Sequence, residues 1–195
     1  MRLDVAVLRE RLKRVAPTFS VFGDDGTEGR EAASTVAAVL IPVVAHAQGL
    51  TLLFTQRTTH LRSHSGQVAF PGGRAEPGDA SAEFTALREA EEEIGLAPAS
   101  VEVLARLPDY RTRTGFRVTP VVGLLTPPLS LTPDPHEVAE IFEVPLAFLM
   151  DQRNCQRRTR EFLGQTVGYY VFEYQNRVIW GATAGMLVNL NRMLA

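Results

Sequence analysis

The sequence predicts an α+β fold in which a mixed sheet lies between helices. Strand-like and helix-like segments alternate along the chain, but without the regular strand–helix–strand rhythm of a parallel sheet. Hydrophobic residues make up 45% of the 195 positions, enough for a real core and too many for a disordered chain. That length, with no internal repeat, fits one domain over 1–195, with 1–34 as an N-terminal helix and loop decoration.

Taken in order, Val5, Leu8, Leu12 and Val15 recur at helical spacing, and Pro17 ends the helix expected over 1–17. The Gly- and Asp-rich segment 18–34 reads as a loop. Residues 37–45 (AAVLIPVVA) are apolar and β-branched, hence a strand, and Pro42 puts that strand at an edge or a bulge. Gln48-Gly49 turns into a second strand over 50–57, completing a hairpin. A basic loop with His60 and His64 spans 58–67, and Val68-Ala69-Phe70-Pro71 leads into Gly72-Gly73. The stretch 72–96 passes from this Gly-Gly turn through a polar loop into a helix closed by Gly95. Its face toward the sheet is expected to carry Phe84, Leu87, Glu91 and Ile94. Beyond it come a strand at 101–107, a loop at 108–115 with Arg111 and Arg113, and a buried strand at 116–125. A Pro-rich linker (126–134) follows, then a strand over 137–146 running into a short helix started by Pro145. Residues 153–160 read as a solvated basic turn. A final hairpin, 165–174 with 177–180, turns at Gln175-Asn176. The closing helix packs through Met186, Leu187, Leu190 and Leu194.

The formal net charge of −2 and pI near 6.1 give no global electrostatic case for nucleic-acid or anionic-membrane partners. A single cysteine, Cys155, excludes an intramolecular disulfide and a Cys-based zinc cluster. Its polar surroundings, with no adjacent His, argue against a nucleophile. His60 and His64 lack a third ligand and read as polar loop residues rather than a zinc pair. With no signal peptide, no long apolar span and a C-terminal Met-Leu-Ala that is not a peroxisomal tripeptide, a cytoplasmic protein is expected.

Chemistry concentrates in the 72–96 stretch. Glu89, Glu91, Glu92 and Glu93 crowd the last turns of the helix, where the macrodipole favours cations. Glu89 is also a like-charge neighbour of Glu92 and Glu93, each such pair costing about 0.2–0.5 kcal/mol. At about 100° per residue, Glu92 and Glu93 bracket Glu89 on one face, and Arg88 is placed to pair with Glu92. A solvated acidic face is the plain alternative, but such faces intersperse Lys and Arg with Glu, and here only Arg88 intervenes. A hard divalent cation, which takes oxygen ligands, would relieve the repulsion.

The run Arg88-Glu89-Ala90-Glu91-Glu92-Glu93-Ile94-Gly95-Leu96 resembles the second half of the Nudix box, R-E-U-x-E-E-x-G-U, with Ala90 a small stand-in at its aliphatic position. The first half departs from the family pattern. Its acidic residue would fall on Ala80, whereas this chain has Asp79 and one extra loop residue before Arg88. A second resemblance lies upstream, in Leu53-Phe54-Thr55-Gln56-Arg57-Thr58-x3-Arg62-x3-Gly66-x3-Phe70-Pro71-Gly72-Gly73. This is similar to the motif of the coenzyme A pyrophosphatase branch, which also carries Asp79 and the longer loop. Residues 115–122 resemble the same branch.

The resemblance implies a Nudix-type α/β/α sandwich with a mixed central sheet. It further implies hydrolysis, dependent on Mg²⁺ or Mn²⁺, of the diphosphate of coenzyme A or its thioesters, giving 3′,5′-ADP and (acyl-)4′-phosphopantetheine. Glu89 and Glu93 would bind metal and Glu92 would share or bridge a second ion. Arg88 would orient Glu92, and Glu89 or a downstream carboxylate, Glu137 or Glu140, would act as base. Arg57 and Arg62 can form bidentate pairs with phosphates, Arg111 or Arg113 can lean over them, and Gly72 and Gly73 let backbone approach a ligand. The alternatives are another Nudix substrate, such as ADP-ribose or a nucleoside di- or triphosphate, and a catalytically silent domain that senses coenzyme A or nucleotides. The partner is in each case a small molecule.

Overall fold

The computed structural model describes residues 3–14, 35–59, 66–162 and 164–195. Val15, Pro17, the 18–34 loop, His60, Arg62 and His64 lie outside the described residues. At the centre is a long strand, β1 (Thr35–His46). Ala38, Leu40 and Val44 join one buried cluster, while Ala37, Ile41 and Val43 join another. This is the two-residue period of a strand buried on both faces.

One side of β1 pairs in parallel with β7 (Phe116–Leu125). Its other side meets two partners in turn. The first half pairs antiparallel with β4 (Gly72–Arg74), and the second half with β2 (Gly49–Arg57). β2 pairs in addition with β3 (Val68–Ala69) and with β8 (Val138–Pro145). The hairpin is therefore a fork whose arms are wedged apart by residues 68–74.

Pro42 corrects the sequence expectation, because its strand is central. The Leu40 N–H donates to the Pro71 carbonyl, 2.8 Å, on the side of β4. Two residues on, position 42 faces the same way, between the last pairing with β4 at Val39 and the first with β2 at Val43. A proline lacks the N–H that would need a partner in that gap. The fork opens at the one residue that cannot continue the ladder.

The outer side of β7 pairs with β5 (Val101–Arg106) and then with β6 (Tyr110–Arg111), so the expected 108–115 loop contains a short strand. On one face of the sheet lies α2 (Ala82–Ile94). The opposite face is covered by α1 (Val5–Lys13), α3 (Leu146–Met150) and α4 (Gly181–Leu194), and by a second antiparallel sheet. That sheet comprises β9 (Cys155–Phe162), β10 (Gln165–Tyr174) and β11 (Arg177–Trp180). The architecture is the expected α/β/α sandwich around a mixed sheet.

Met186, Leu187, Leu190 and Leu194 are buried on α4 as its periodicity predicts, and the final hairpin turns at Gln175-Asn176. Residues 153–160 are not a turn: Gln152–Asn154 make one 3-10 turn and β9 follows. An exposed strand of arginines has no apolar alternation to betray it, and pairing with β10 defines it instead. The packed face of α2 is Ala86, Ala90, Glu93 and Ile94, whereas Phe84 is 50% exposed and Glu91 is also on the surface. Two alanines bring the helix axis close to β1, which favours that face over the bulkier one. Among the described residues no helix is long and apolar enough to cross a membrane.

Candidate active site

α2 is held at both ends before any of its carboxylates is considered. The Ser81 Oγ accepts from the Phe84 N–H, 3.2 Å, an N-cap of the kind worth about 1 kcal/mol. At the other end Gly95 takes φ +66°, and the Gly95 and Leu96 N–H groups return to the Glu91 and Ala90 carbonyls, 2.9 and 3.3 Å. The last two carbonyls, of Glu93 and Ile94, accept from the Asp134 and Thr132 N–H groups of the Pro-rich linker, 2.9 and 2.8 Å. Backbone donors thus satisfy the negative end of the helix that carries the glutamates.

Glu93 points inward from this last turn and is only 6% exposed. Its Oε2 accepts from the Gly72 N–H at the start of β4, 3.2 Å. Burial pushes its carboxyl up to about 7, against the pull of the Gly72 N–H and the Arg57 guanidinium and with the repulsion of Glu137 and Glu89. Glu89, one turn earlier, is also raised by burial, partly offset by Arg88.

The two glycines of β4 face close contacts that the sequence did not foretell. A Cβ on Gly72 would sit 2.6 Å from Val39 Cα and closer still to the Ala38 carbonyl oxygen, so backbone meets backbone there. A Cβ on Gly73 would lie 2.6 Å from Glu89 Oε1 and closer to Oε2. What approaches these glycines is β1 and a carboxylate of the chain itself.

Arg88 ties the remaining acids together. Its Nε and Nη2 donate to both oxygens of Asp79, 3.2 and 3.1 Å, and Nη2 also reaches the Arg74 carbonyl, 3.1 Å. It lies 3.0 Å from Glu89 Oε1 and 2.9 Å from Glu92 Oε2, the latter being the pairing that the i,i+4 spacing predicts. Asp79 in turn accepts from the Glu76 N–H and the Thr85 hydroxyl, 2.9 and 2.8 Å. The Arg88 guanidinium first, then these donors, lower its carboxyl to about 2. Sequence reasoning gave Asp79 no role. Its signal was its place two residues before the N-cap Ser81, where a short acid can bond the helix entry. Glu92 is separated from Glu89 and Glu93, with its side chain 59% exposed. Adjacent residues differ by about 100°, so a helix that buries Glu93 must turn Glu92 outward.

Arg57, at the end of β2, sits 3.7 Å from both Glu93 and Glu137, bridging the buried and the exposed carboxylate. Its Nε is buried without a hydrogen-bond partner among the described residues. Glu137 is therefore gathered into the site by the start of β8. Glu140 is not, because Arg177 of β11 pairs with it and stacks 4.4 Å over Phe142. Arg111 lies on β6, paired with Arg117 of β7, so two strands, β7 and β1, separate it from β4. Cys155 opens β9, away from these residues, and burial pushes its thiol up, the reverse of what a nucleophile needs.

Among the described residues no three His, Cys, Asp or Glu side chains form a ready cage for an ion. Glu89 and Glu93 still suit a hard divalent cation, which takes one or two carboxylates and completes its shell with water and substrate phosphates. Burial first, and neighbouring carboxylates after it, raise the proton affinity of both, and a bound cation would oppose that rise.

The NUDIX domain profile matches residues 34–163. A Photorhabdus laumondii protein named as the uncharacterized Nudix hydrolase NudL is 47% identical over 154 residues, covering 79% of this chain and 82% of the relative. The protein of the same name from Escherichia coli K12 is 44% identical over 154 residues, covering 79% and 80%. Among solved structures, a C. elegans Ap4A hydrolase is similar with a TM-score of 0.48 and 19% identity, covering 58% of this chain and 81% of that one. With a family profile matched over more than half its length and relatives at this identity, the chain belongs to the Nudix hydrolase family.

Proposed function

We propose that this Nudix hydrolase cleaves the diphosphate linkage of coenzyme A or its thioesters, giving 3′,5′-ADP and 4′-phosphopantetheine or its acylated form. The observation that carries the chemistry is the pair Glu89 and Glu93, pressed against Gly73 and the Gly72 N–H. The choice of substrate is supported by the Leu53–Gly73 motif, whose Arg57 stands at the mouth of that pocket and whose Arg62 lies outside the described residues.

Glu89 and Glu93 would hold Mg²⁺ or Mn²⁺, and Glu92, once released from Arg88, would share a second ion. A cation held there would supply polarisation of the phosphate and acidification of an attacking water. Arg57 grips a phosphate oxygen when it leaves Glu93 and Glu137. Arg88 fixes Glu89 through its anchor on Asp79. Glu137, partly exposed beside Arg57, or Glu89 receives the proton of the water. Arg111 enters only as a contact to an outlying part of the substrate. Residues 1–195 are taken as one domain, and a cytoplasmic setting goes with a lone, unpaired cysteine.

Product identification by mass spectrometry, from coenzyme A in ¹⁸O-labelled water, tests substrate and attacked phosphorus together. The expected result is 3′,5′-ADP and 4′-phosphopantetheine, with one of them labelled. Turnover of ADP-ribose but not of coenzyme A, under the same Mg²⁺ concentration, would move the proposal to another substrate of the family.

A further inference from the structure

The second sheet, β9–β11, carries a cluster that the site described above does not use. Directly paired residues share a face, so Tyr169, Arg158 and Arg160 of the β9–β10 ladder lie on the same side as Trp180, which pairs with Val171. The opposite side, with Phe172 and Ile179, packs into the core. On the first side, over the buried Val167 and Val171, Tyr169 and Trp180 meet edge to face, ring centroids 6.1 Å apart at 69°. The Arg160 guanidinium lies 5.3 Å over the Trp180 ring and 5.6 Å over the Tyr169 ring. Arg160 is exposed and both rings are partly so.

This cluster adjoins the catalytic strands. β11 packs against β3, and the Thr183 hydroxyl donates to the Val68 carbonyl, 3.2 Å. The Gln67 side-chain nitrogen comes within 3.6 Å of the place a Cβ would occupy on Gly181, next to Trp180. The Gln67 carbonyl accepts the Arg57 N–H, 3.0 Å. Residues 67 and 68 thus neighbour both the start of α4, which follows Trp180, and the end of β2, which carries Arg57.

We infer that Arg160, Tyr169 and Trp180 form the platform that receives the nucleobase end of the diphosphate substrate. The base stacks on the aromatic rings and the guanidinium bonds the phosphate borne by its ribose. Flat π-faces accept any base, and an arginine among them serves both as a stacking partner and as a bidentate phosphate ligand. The inference rests on the diphosphate reading above for its substrate and supplies what that reading lacks, a site for the adenosine half. Binding does not require turnover, so the two can fail separately.

Trp180 is the only tryptophan in the chain, which makes intrinsic fluorescence a site-specific probe. Adenosine 3′,5′-bisphosphate should quench it saturably, while 4′-phosphopantetheine should not. Arg160→Ala, at an exposed position, should weaken that binding about tenfold. In turnover, Trp180→Leu should raise KM for coenzyme A about tenfold with kcat within twofold, and Trp180→Phe should restore most of the loss. Absence of saturable quenching, or an unchanged KM in Trp180→Leu, overturns the platform and leaves the hydrolytic proposal standing. Quenching by adenosine 3′,5′-bisphosphate without any coenzyme A hydrolysis supports the platform and removes the hydrolytic proposal.

Discussion

At the scale of single residues, the site turns on Glu93 being buried beside two other carboxylates. Its carboxyl is raised from the ordinary 4.5 to about 7, so the folded protein binds this proton more tightly than the unfolded chain. The associated stability is present below about pH 4.5 and is lost as pH rises through about 7, a difference of about 3 kcal/mol. Urea unfolding without divalent ions should therefore give a lower midpoint at pH 8 than at pH 5, and Glu93→Gln should flatten that dependence. Added Mg²⁺ at pH 8 should raise the midpoint of the native protein through mass action and leave Glu93→Gln nearly unmoved. The same variant should lose turnover while keeping its fold; full activity with Mg²⁺ would show that Glu93 is not a ligand. The glycines differ in what they guard. Gly73→Ala meets only the flexible Glu89 carboxylate and should lower kcat with little change in stability. Gly72→Ala meets the backbone of β1 and should lower the unfolding midpoint itself.

At the scale of elements, α2 and the β1–β2 fork position the chemistry. The helix brings Glu89 and Glu93 against β4 because Ala86 and Ala90 let it lie close, and the 126–134 linker closes its end. The fork lets β4 enter the sheet beside β1, and Pro42 stands where its arms part. Pro42→Val would place a donor in that buried gap, with an expected destabilisation of about 1–3 kcal/mol by denaturant melts. No change would mean that the gap already supplies an acceptor. The type of α2, β7 and α4, the bounds of β7 and the end of α2 at Gly95 were legible in the chain. The strand β9 was not, because Gln156, Arg157, Arg158 and Arg160 present no apolar side, and only the β10 partner identifies it.

At the scale of the whole molecule, the sandwich draws its second helical layer from both ends of the chain. Leu8 and Leu12 of α1 are buried in the same cluster as Leu187 and Leu190 of α4, so the first helix is part of the core rather than an appendage. Leu8→Ala should cost about 2–4 kcal/mol while unfolding stays a single cooperative transition, which calorimetry can check. A separate, earlier transition would show that α1 is dispensable. The chain by itself determined the α+β class, the helix that carries the glutamates, the pairing of Arg88 with Glu92, and the family, since these follow from local spacing and from motifs contiguous in sequence. Tertiary structure alone decided that Glu93 is buried and Glu92 is not, that Asp79 anchors Arg88, and that Glu137 rather than Glu140 joins the site. It also decided that Arg160 rests on Tyr169 and Trp180. Each of these depends on which strand or loop lies opposite a side chain, and that neighbour is distant in sequence and is set by sheet pairing and burial.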